Sequence, residues 1–291
     1  MGKYSIKELE RLSGIKAHTI RIWEKRYHII EPQRTSTNIR YYSDEELKKI
    51  INVSLLNNHG VKISHIAELD HDELIKKVLE FTDKKYETDP YINQMIVAMI
   101  DLDEEQFEQL LNKLSMKFGI ERTITEIIYP FLSRIGILWQ TGNITPAQEH
   151  FISNIVRQKL IVAIDGLPHP QKNARKAVVF LPEQELHEIG LLFCYYLLKK
   201  EGLRVIYLGQ MVPYADVKSI GLSHEPALFV TSMVSEQPPK DLQLYINTIS
   251  GDFPSALVVA TGGAVTRIAL SFPPNFRVAD NVLKVKDFAT L

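Results

Sequence analysis

The sequence predicts a multidomain protein that combines α and α/β architecture in three successive segments. Its 291 residues are enough for two or three domains, each with a buried core. A helix–turn–helix pattern occupies residues 1–80, apolar residues recur at helical spacing in residues 90–168, and short β-rich runs alternate with helical runs in residues 172–291. The polar residues 82–90 predict a linker between the first two segments.

Composition and charge are typical of a globular protein with a basic N-terminal part. Hydrophobic residues make up 45% and charged residues 24% of the chain. Apolar runs stay shorter than the roughly 20 residues of a membrane span, and the first ten residues lack the apolar region of a secretory signal. We therefore expect a cytoplasmic protein with no membrane partner. Residues 1–50 hold 11 Lys and Arg against 7 Asp and Glu, which favours a nucleic-acid-binding head.

The first segment predicts two short helices joined by a tight turn. Ser5 is a favourable N-cap for the first helix, Gly14 ends it, and residues 16–26 form the second helix. An extended stretch follows at residues 29–42. Ser43 and Glu46 predict a capping box that starts a third helix, and residues 62–68 predict a fourth.

The second segment predicts a four-helix bundle. Apolar residues recur at helical spacing in residues 91–100, 104–118, 120–139 and 146–164. Gly119 separates two of these runs, and Pro130 is expected to kink or split the third.

The third segment predicts a doubly wound, flavodoxin-like parallel sheet. Strands are predicted at residues 177–181, 205–208, 228–231 and 257–260, with helices between them and an edge strand at 277–279. The single Cys194 excludes an internal disulfide and is expected to be buried in the first of these helices.

The N-terminal segment resembles the winged helix-turn-helix head of the MerR family of transcriptional regulators. The likeness extends in unbroken order over about 70 residues and rests on Tyr4-Ser5-Ile6, Leu9, Gly14, Thr19-Ile20-Arg21, Trp23-Glu24, Arg34, Arg40-Tyr41-Tyr42-Ser43 and Leu47. It implies a double-stranded DNA operator, with the second helix in the major groove and the wing on phosphates. The expected DNA-binding residues are Lys16, His18, Thr19, Arg21, Lys25, Arg34, Arg40 and Tyr41. Simpler roles stay open: Lys25 as a solvated charge, Arg40 in a surface salt bridge and Trp23 in the core.

Three short motifs follow predicted strands of the third segment: ELHEIG at 185–190, TSMV at 231–234 and TGG at 261–263. Gly190 and Ser232 are separated by 41 residues, and Val234 and Gly262 by 27. These motifs and separations resemble the Asp-x-His-x-x-Gly, Ser-x-Leu and Gly-Gly signature of the cobalamin-binding family of corrinoid-dependent methyltransferases and mutases. Ligands of doubly wound sheets bind at the carboxyl ends of the strands, so the placement of the motifs agrees with the resemblance.

The resemblance implies a role for each signature residue. His187 would coordinate cobalt from below, and Glu185, in place of the usual Asp, would accept a hydrogen bond from the other ring nitrogen. Ser232 would bond the base of the nucleotide tail, with Val234 beside it. The glycines would leave room for the tail: Gly190, Gly262 and Gly263. The alternative for His187 is a surface histidine.

Trp139 is followed ten residues later by Glu149 and His150, a pattern similar to that of the light-sensing cobalamin repressors of the CarH/LitR type within the MerR family. This implies that Trp139 covers the upper face of the corrin and that Glu149 and His150 lie near an adenosyl group. In such sensors a His can follow the Trp and capture cobalt after photolysis, whereas this chain has Gln140. As alternatives, Trp139 is a core residue, Glu149 a partner of the helix dipole and His150 an ordinary polar residue.

Together these resemblances imply a regulator of transcription rather than an enzyme. They imply a repressor whose homo-oligomerisation, as a dimer and possibly a tetramer, and whose DNA affinity depend on adenosylcobalamin and on light. In one alternative, the third segment is a cofactor-independent module for oligomerisation or for binding an antirepressor protein. In another, the chain is the methyl-carrying component of a corrinoid enzyme, which would not need a DNA-binding head.

Overall fold

A computed structural model describes residues 3–34, 38–58, 60–70, 73–74, 77, 89–140, 144–235, 237–266 and 270–289. The side chains of residues 89 and 137–140 and the predicted linker, apart from its last two residues, lie outside this described part. The chain forms two compact units, Met1–Ile155 and Val156–Leu291. Their boundary falls inside one helix, so the domain limits 1–80, 90–168 and 172–291 stay a prediction.

The N-terminal part has the predicted order of helices around a small two-stranded wing. Its elements are α1 (Ile6–Ser13), α2 (Ala17–Tyr27), β1 (Gln33–Arg34), β2 (Arg40–Tyr41), α3 (Asp44–Asn58) and α4 (Ile63–Ile66). Strands β1 and β2 pair antiparallel. The predicted fourth helix is shorter than expected, a single turn.

Local sequence signals start and end these helices as expected. Ser5 and Glu8 form a capping box at α1, and Gly14 ends this helix at φ 75°. The amide of Ser43 donates to Glu46 Oε2 at 2.6 Å, which confirms the second capping box. Trp23 is 7% exposed and belongs to the core, as its simpler interpretation predicted.

The bundle helices form where the apolar periodicity predicts them. They are α5 (Asp89–Asp101), α6 (Glu104–Arg122), α7 (Tyr129–Gln140) and α8 (Pro146–Asp165), with a π-helical turn at Thr123–Ile128. Gly119 has φ 78° and ψ 162° and interrupts the helical backbone inside α6. Pro130 does not split α7. The predicted run 120–139 is nevertheless not one regular α-helix, because the π-helical turn interrupts its repeat and ends two residues before Pro130.

In the second unit, the described strands form a five-stranded parallel sheet covered by helices. The elements are β3 (Lys176–Pro182), α9 (Glu188–Lys200), β4 (Arg204–Val212), α10 (Tyr214–His224), β5 (Leu228–Ser232), α11 (Pro239–Asp252), β6 (Leu257–Thr261), α12 (Gly263–Thr266), β7 (Phe276–Ala279) and a 3-10 helix (Val282–Ala289). The strand order is β4-β3-β5-β6-β7, which is the flavodoxin-like order. The sequence-based fold class is confirmed, including the edge strand.

This topology has a switch point between β3 and β5, because the chain leaves β3 for one side of the sheet and then returns to the other. The loops after these two strands therefore face each other at the carboxyl edge. Among the described residues, no helix is both long and apolar enough to cross a membrane.

Candidate functional site

The carboxylate of Glu185 joins the two loops at the switch point. Its Oε1 accepts hydrogen bonds from the amides of Leu186 at 3.0 Å and His187 at 3.1 Å, and from His187 Nδ1 at 2.5 Å. Its Oε2 accepts from the amides of Val234 and Ser235, both at 2.8 Å. Glu185 is 0% exposed, so one buried side chain fixes both loops.

The hydrogen bonds decide the charge of this carboxylate. Burial by itself would raise the pKa of Glu185, but the bonds from His187 and from the amides of Ser235 and Val234 outweigh burial and lower the pKa to about 2. The group is therefore an anion at neutral pH and can only accept hydrogen bonds.

An anionic Glu185 also fixes the state of His187. Because Nδ1 faces the carboxylate oxygen Oε1, Nδ1 carries a proton, so in the neutral tautomer Nε2 is the nitrogen that can bind a metal. The His187 side chain is 58% exposed. An imidazole is a suitable ligand for cobalt when a carboxylate holds its other ring nitrogen. His187 and Glu185 therefore fit the cofactor that the sequence resemblance implies.

The remaining signature residues lie around the same edge. Gly190 is half-buried in the first turn of α9, and Ser232 ends β5 at 2% exposure. Val234 is 40% exposed and holds Glu185 through its backbone amide.

Gly262 has a structural requirement of its own. Its φ is 105°, and an added Cβ would lie 2.3 Å from the carbonyl oxygen of Met233. Close packing of two backbone segments therefore requires glycine here, apart from any ligand. Gly263 is half-buried and begins α12.

A second carboxylate beside His187 was not found by sequence reasoning. Glu188 is 9% exposed; its Oε2 accepts from Arg157 Nε at 2.5 Å and its Oε1 from the Tyr207 hydroxyl at 2.8 Å. The three residues come from α8, α9 and β4. They are 31 and 19 positions apart, so no local pattern could have indicated this network.

The predicted upper-face residues lie in the first unit. Helix α7 includes Trp139 and Gln140, whose side chains lie outside the described part. Glu149 and His150 are in the first turns of α8, with His150 Nδ1 2.9 Å from Glu149 Oε2. Glu149 Oε1 also accepts from the Ser153 hydroxyl at 2.6 Å. The roles of Trp139, Glu149 and His150 stay predictions.

On the N-terminal head, α2 exposes three of the predicted polar residues, His18, Arg21 and Lys25. Lys16 precedes the helix and lies 3.3 Å from Glu10, while His18 Nε2 is 3.3 Å from the hydroxyl of the half-buried Thr19. Arg21 and Lys25 are exposed. This arrangement is compatible with a helix that lies against DNA.

The wing residues already make contacts within the head. Arg34 Nη1 donates to Asn38 Oδ1 at 2.7 Å, and Lys3 lies 5.1 Å from the ring centre of Tyr41. Arg40 Nη2 is 3.6 Å from Glu24, which is the salt bridge that its simpler interpretation predicted. A phosphate contact by Arg40 would have to compete with Glu24.

Comparisons with known proteins give matches for the N-terminal head and for the predicted bundle. Residues 4–73 match the MerR HTH family of regulatory proteins, and residues 91–163 match the B12 binding domain family. The chain is 28% identical to the HTH-type transcriptional repressor CarH of Myxococcus xanthus, over 91% of this chain and 90% of that protein. It is 26% identical to the HTH-type transcriptional repressor CarA of the same organism, over 81% and 78%.

One solved structure shows the same fold across much of the chain. The monomethylamine corrinoid protein of Methanosarcina barkeri has a TM-score of 0.53 and 17% identity, over 66% of this chain and 93% of that one. The helix-turn-helix head and the similarity to two transcriptional repressors together indicate a DNA-binding regulator of transcription rather than an enzyme. More specifically, the chain resembles the MerR-type repressor CarH over most of its length, and its residues 91–163 match a B12 binding domain.

Proposed function

We propose that this protein is a cytoplasmic transcriptional repressor whose affinity for its DNA operator depends on bound adenosylcobalamin. The observation that carries the cofactor part is the Glu185–His187 pair at the switch point of the sheet, where Nδ1 of the imidazole lies 2.5 Å from the buried carboxylate. The alternative, a surface histidine without a ligand, does not require a hydrogen bond to a fully buried carboxylate such as that of Glu185. The MerR-type head supports the DNA part.

In this proposal His187 would coordinate the cobalt, and Glu185 would keep the imidazole in the required tautomer. Gly190, Ser232, Val234, Gly262 and Gly263 hold the nucleotide tail. Ser232 is 2% exposed, so the tail must open the structure around the end of β5 in order to reach it. Cofactor binding is therefore linked to a rearrangement of the protein.

The sequence resemblance also supports roles for three residues of the predicted bundle. Trp139 would cover the corrin face, and Glu149 and His150 would contact the adenosyl group. When bound, adenosylcobalamin supplies a cobalt–carbon bond that light can break. Gln140 is a poor cobalt ligand, so capture of cobalt by that residue is not part of the proposal.

Regulation then follows from linkage between cofactor and assembly. The loaded protein would form dimers and tetramers that place several heads on repeated half-sites, and this multivalency would raise the apparent affinity of a small head. The cofactor must bind the assembled state more tightly than the free one, since otherwise it cannot shift the equilibrium.

Reconstitution with adenosylcobalamin in the dark tests this proposal. We expect corrin absorbance to co-elute with a larger assembly in gel filtration, that assembly to bind DNA more tightly than the apo-protein, and green light to dissociate it. His187→Ala should abolish cobalamin retention, whereas His169→Ala, at another exposed histidine, should not.

Electron paramagnetic resonance identifies the lower ligand directly. After reduction to Co(II), protein labelled with ¹⁵N-histidine should change the nitrogen hyperfine splitting, because the coordinating nitrogen belongs to the protein. Unchanged splitting would exclude His187 as the ligand. Equal DNA affinity of apo and loaded protein would exclude cofactor control, and absence of corrin co-elution would favour a cofactor-independent module for oligomerisation or antirepressor binding.

A further inference from the structure

An isoleucine lies on the exposed side of the helix that the MerR-type head directs toward DNA. Ile22, in α2, is 52% exposed, whereas its helix neighbours Ile20 and Trp23 are 0% and 7% exposed. The buried pair supplies the core contacts of α2. Ile22 is therefore not required for the core and points away from it.

The side chains around Ile22 are basic. His18 and Lys25 lie four residues before and three residues after it, on the same helix face, and both are exposed. Arg21 and Arg26 border this face and are also exposed. We call these five residues the α2 outer face.

The acidic residue of α2 does not neutralise this face. The Glu24 side chain is only 11% exposed and is held by the wing, 3.6 Å from Arg40 and 3.1 Å from the hydroxyl of Tyr42. An apolar side chain bordered by Arg21, Lys25 and Arg26 is a poor surface for an apolar protein partner. It is well suited to a polyanion that presents an apolar group.

Double-stranded DNA presents such a group in the major groove. The thymine 5-methyl is the apolar feature of the base edges there, and it lies between acceptor and donor atoms that His, Lys and Arg side chains can reach. We propose that Ile22 is a specificity residue that contacts thymine methyl groups in the operator, while the cations of the α2 outer face hold phosphates and neighbouring base edges. This inference rests on the DNA-binding function of the head.

Replacing thymine by uracil removes this methyl group and leaves the Watson–Crick pairing unchanged. Burial of one methyl group corresponds to about a fourfold change in affinity. The protein should therefore lose about fourfold in affinity at each thymine that Ile22 contacts, and the Ile22→Ala variant should lose none at those positions.

The experiment begins with selection of binding duplexes from a random library by the full-length protein, loaded with adenosylcobalamin in the dark. Each thymine of a selected duplex is then replaced singly by uracil, and affinity is measured by fluorescence anisotropy for wild type and Ile22→Ala. Ile39→Ala is the matched control, because Ile39 is 64% exposed in the wing of the same head. It should keep the wild-type response to uracil. Circular dichroism confirms that both variants are folded.

The outcomes are distinct. One or two uracil positions that weaken wild type and Ile39→Ala, but not Ile22→Ala, support the proposal. Tight binding that uracil does not weaken would refute the contact between Ile22 and thymine methyl groups. An equal loss of affinity in all three proteins would refute it as well. Both outcomes would leave the DNA-binding function of the head intact. If no duplex is selected, the DNA-binding function fails and this proposal fails with it.

Discussion

Replacing Glu185 by Gln should release the two loops at the switch point. Glutamine has nearly the same size, but its NH₂ group cannot accept a hydrogen bond. Oε1 accepts from Leu186 N, His187 N and His187 Nδ1, and Oε2 accepts from Val234 N and Ser235 N. In either amide orientation at least two donors face the NH₂ group and lose their acceptor.

Two separate considerations give the size of this effect. A hydrogen bond to a charged group contributes about 1.5–3 kcal/mol, so the loss of two costs about 3–6 kcal/mol. The pKa of Glu185, about 2 against an ordinary 4.5, corresponds to about 3 kcal/mol of stability at neutral pH. We therefore expect a loss of about 3 kcal/mol in the free energy of loop opening, which is roughly a hundredfold faster amide exchange.

Hydrogen exchange of the full-length apo-protein, followed by mass spectrometry, measures this effect in peptides that contain residues 186–187 and 234–235. Glu183→Gln is the matched control, since Glu183 is exposed in the same loop and should leave exchange unchanged. Glu185→Asp should also accelerate exchange at 234–235, because its shorter side chain cannot bridge both loops. Wild-type exchange rates in Glu185→Gln would refute the account of a carboxylate that joins the loops.

Three further predictions follow from the second unit. Because the pKa of Glu185 is lower in the folded state, the contribution of its carboxylate to stability is complete above about pH 4.5 and is lost as the pH falls toward 2. The difference in free energy of urea unfolding between wild type and Glu185→Gln should therefore narrow over that interval. A difference that stays constant would contradict this prediction. Gly262→Ala should cost about 3–5 kcal/mol, through positive φ and a Cβ 2.3 Å from a carbonyl oxygen. Gly251→Ala, in a helix with open space, should be neutral or stabilising by up to about 1 kcal/mol; equal melting temperatures for the two variants would refute the contrast. Tyr207→Phe should cost about 1–2 kcal/mol in urea unfolding, because Glu188 loses a buried hydrogen bond, and no measurable loss would show that this bond does not stabilise the fold.

Local sequence signals were sufficient for most of the fold. Capping residues such as Ser5 and Ser43, and Gly14 at a positive φ, mark helix ends because their effect extends over only three or four residues. Apolar periodicity located the bundle helices and the buried strands for the same reason. The π turn that precedes Pro130 was not predicted, since a departure from the helix repeat depends on packing.

Some features of the candidate site follow from the sequence, and others depend on the tertiary structure alone. The sequence determined which residues follow the strands: Glu185 and His187 after β3, Ser232 at the end of β5 and Gly262 after β6. The resemblance of these motifs to the signature of the cobalamin-binding family then implied a cofactor.

Tertiary structure decided which of these groups meet. The strand order places β5 beside β3, and only this neighbourhood lets Glu185 collect amides that are 49 and 50 residues away. The same holds for the contact of Glu188 with Arg157 and for the clash that makes Gly262 necessary. Residue types and their order follow from local chemistry, whereas the charge of a buried carboxylate depends on donors that only the folded sheet brings to it.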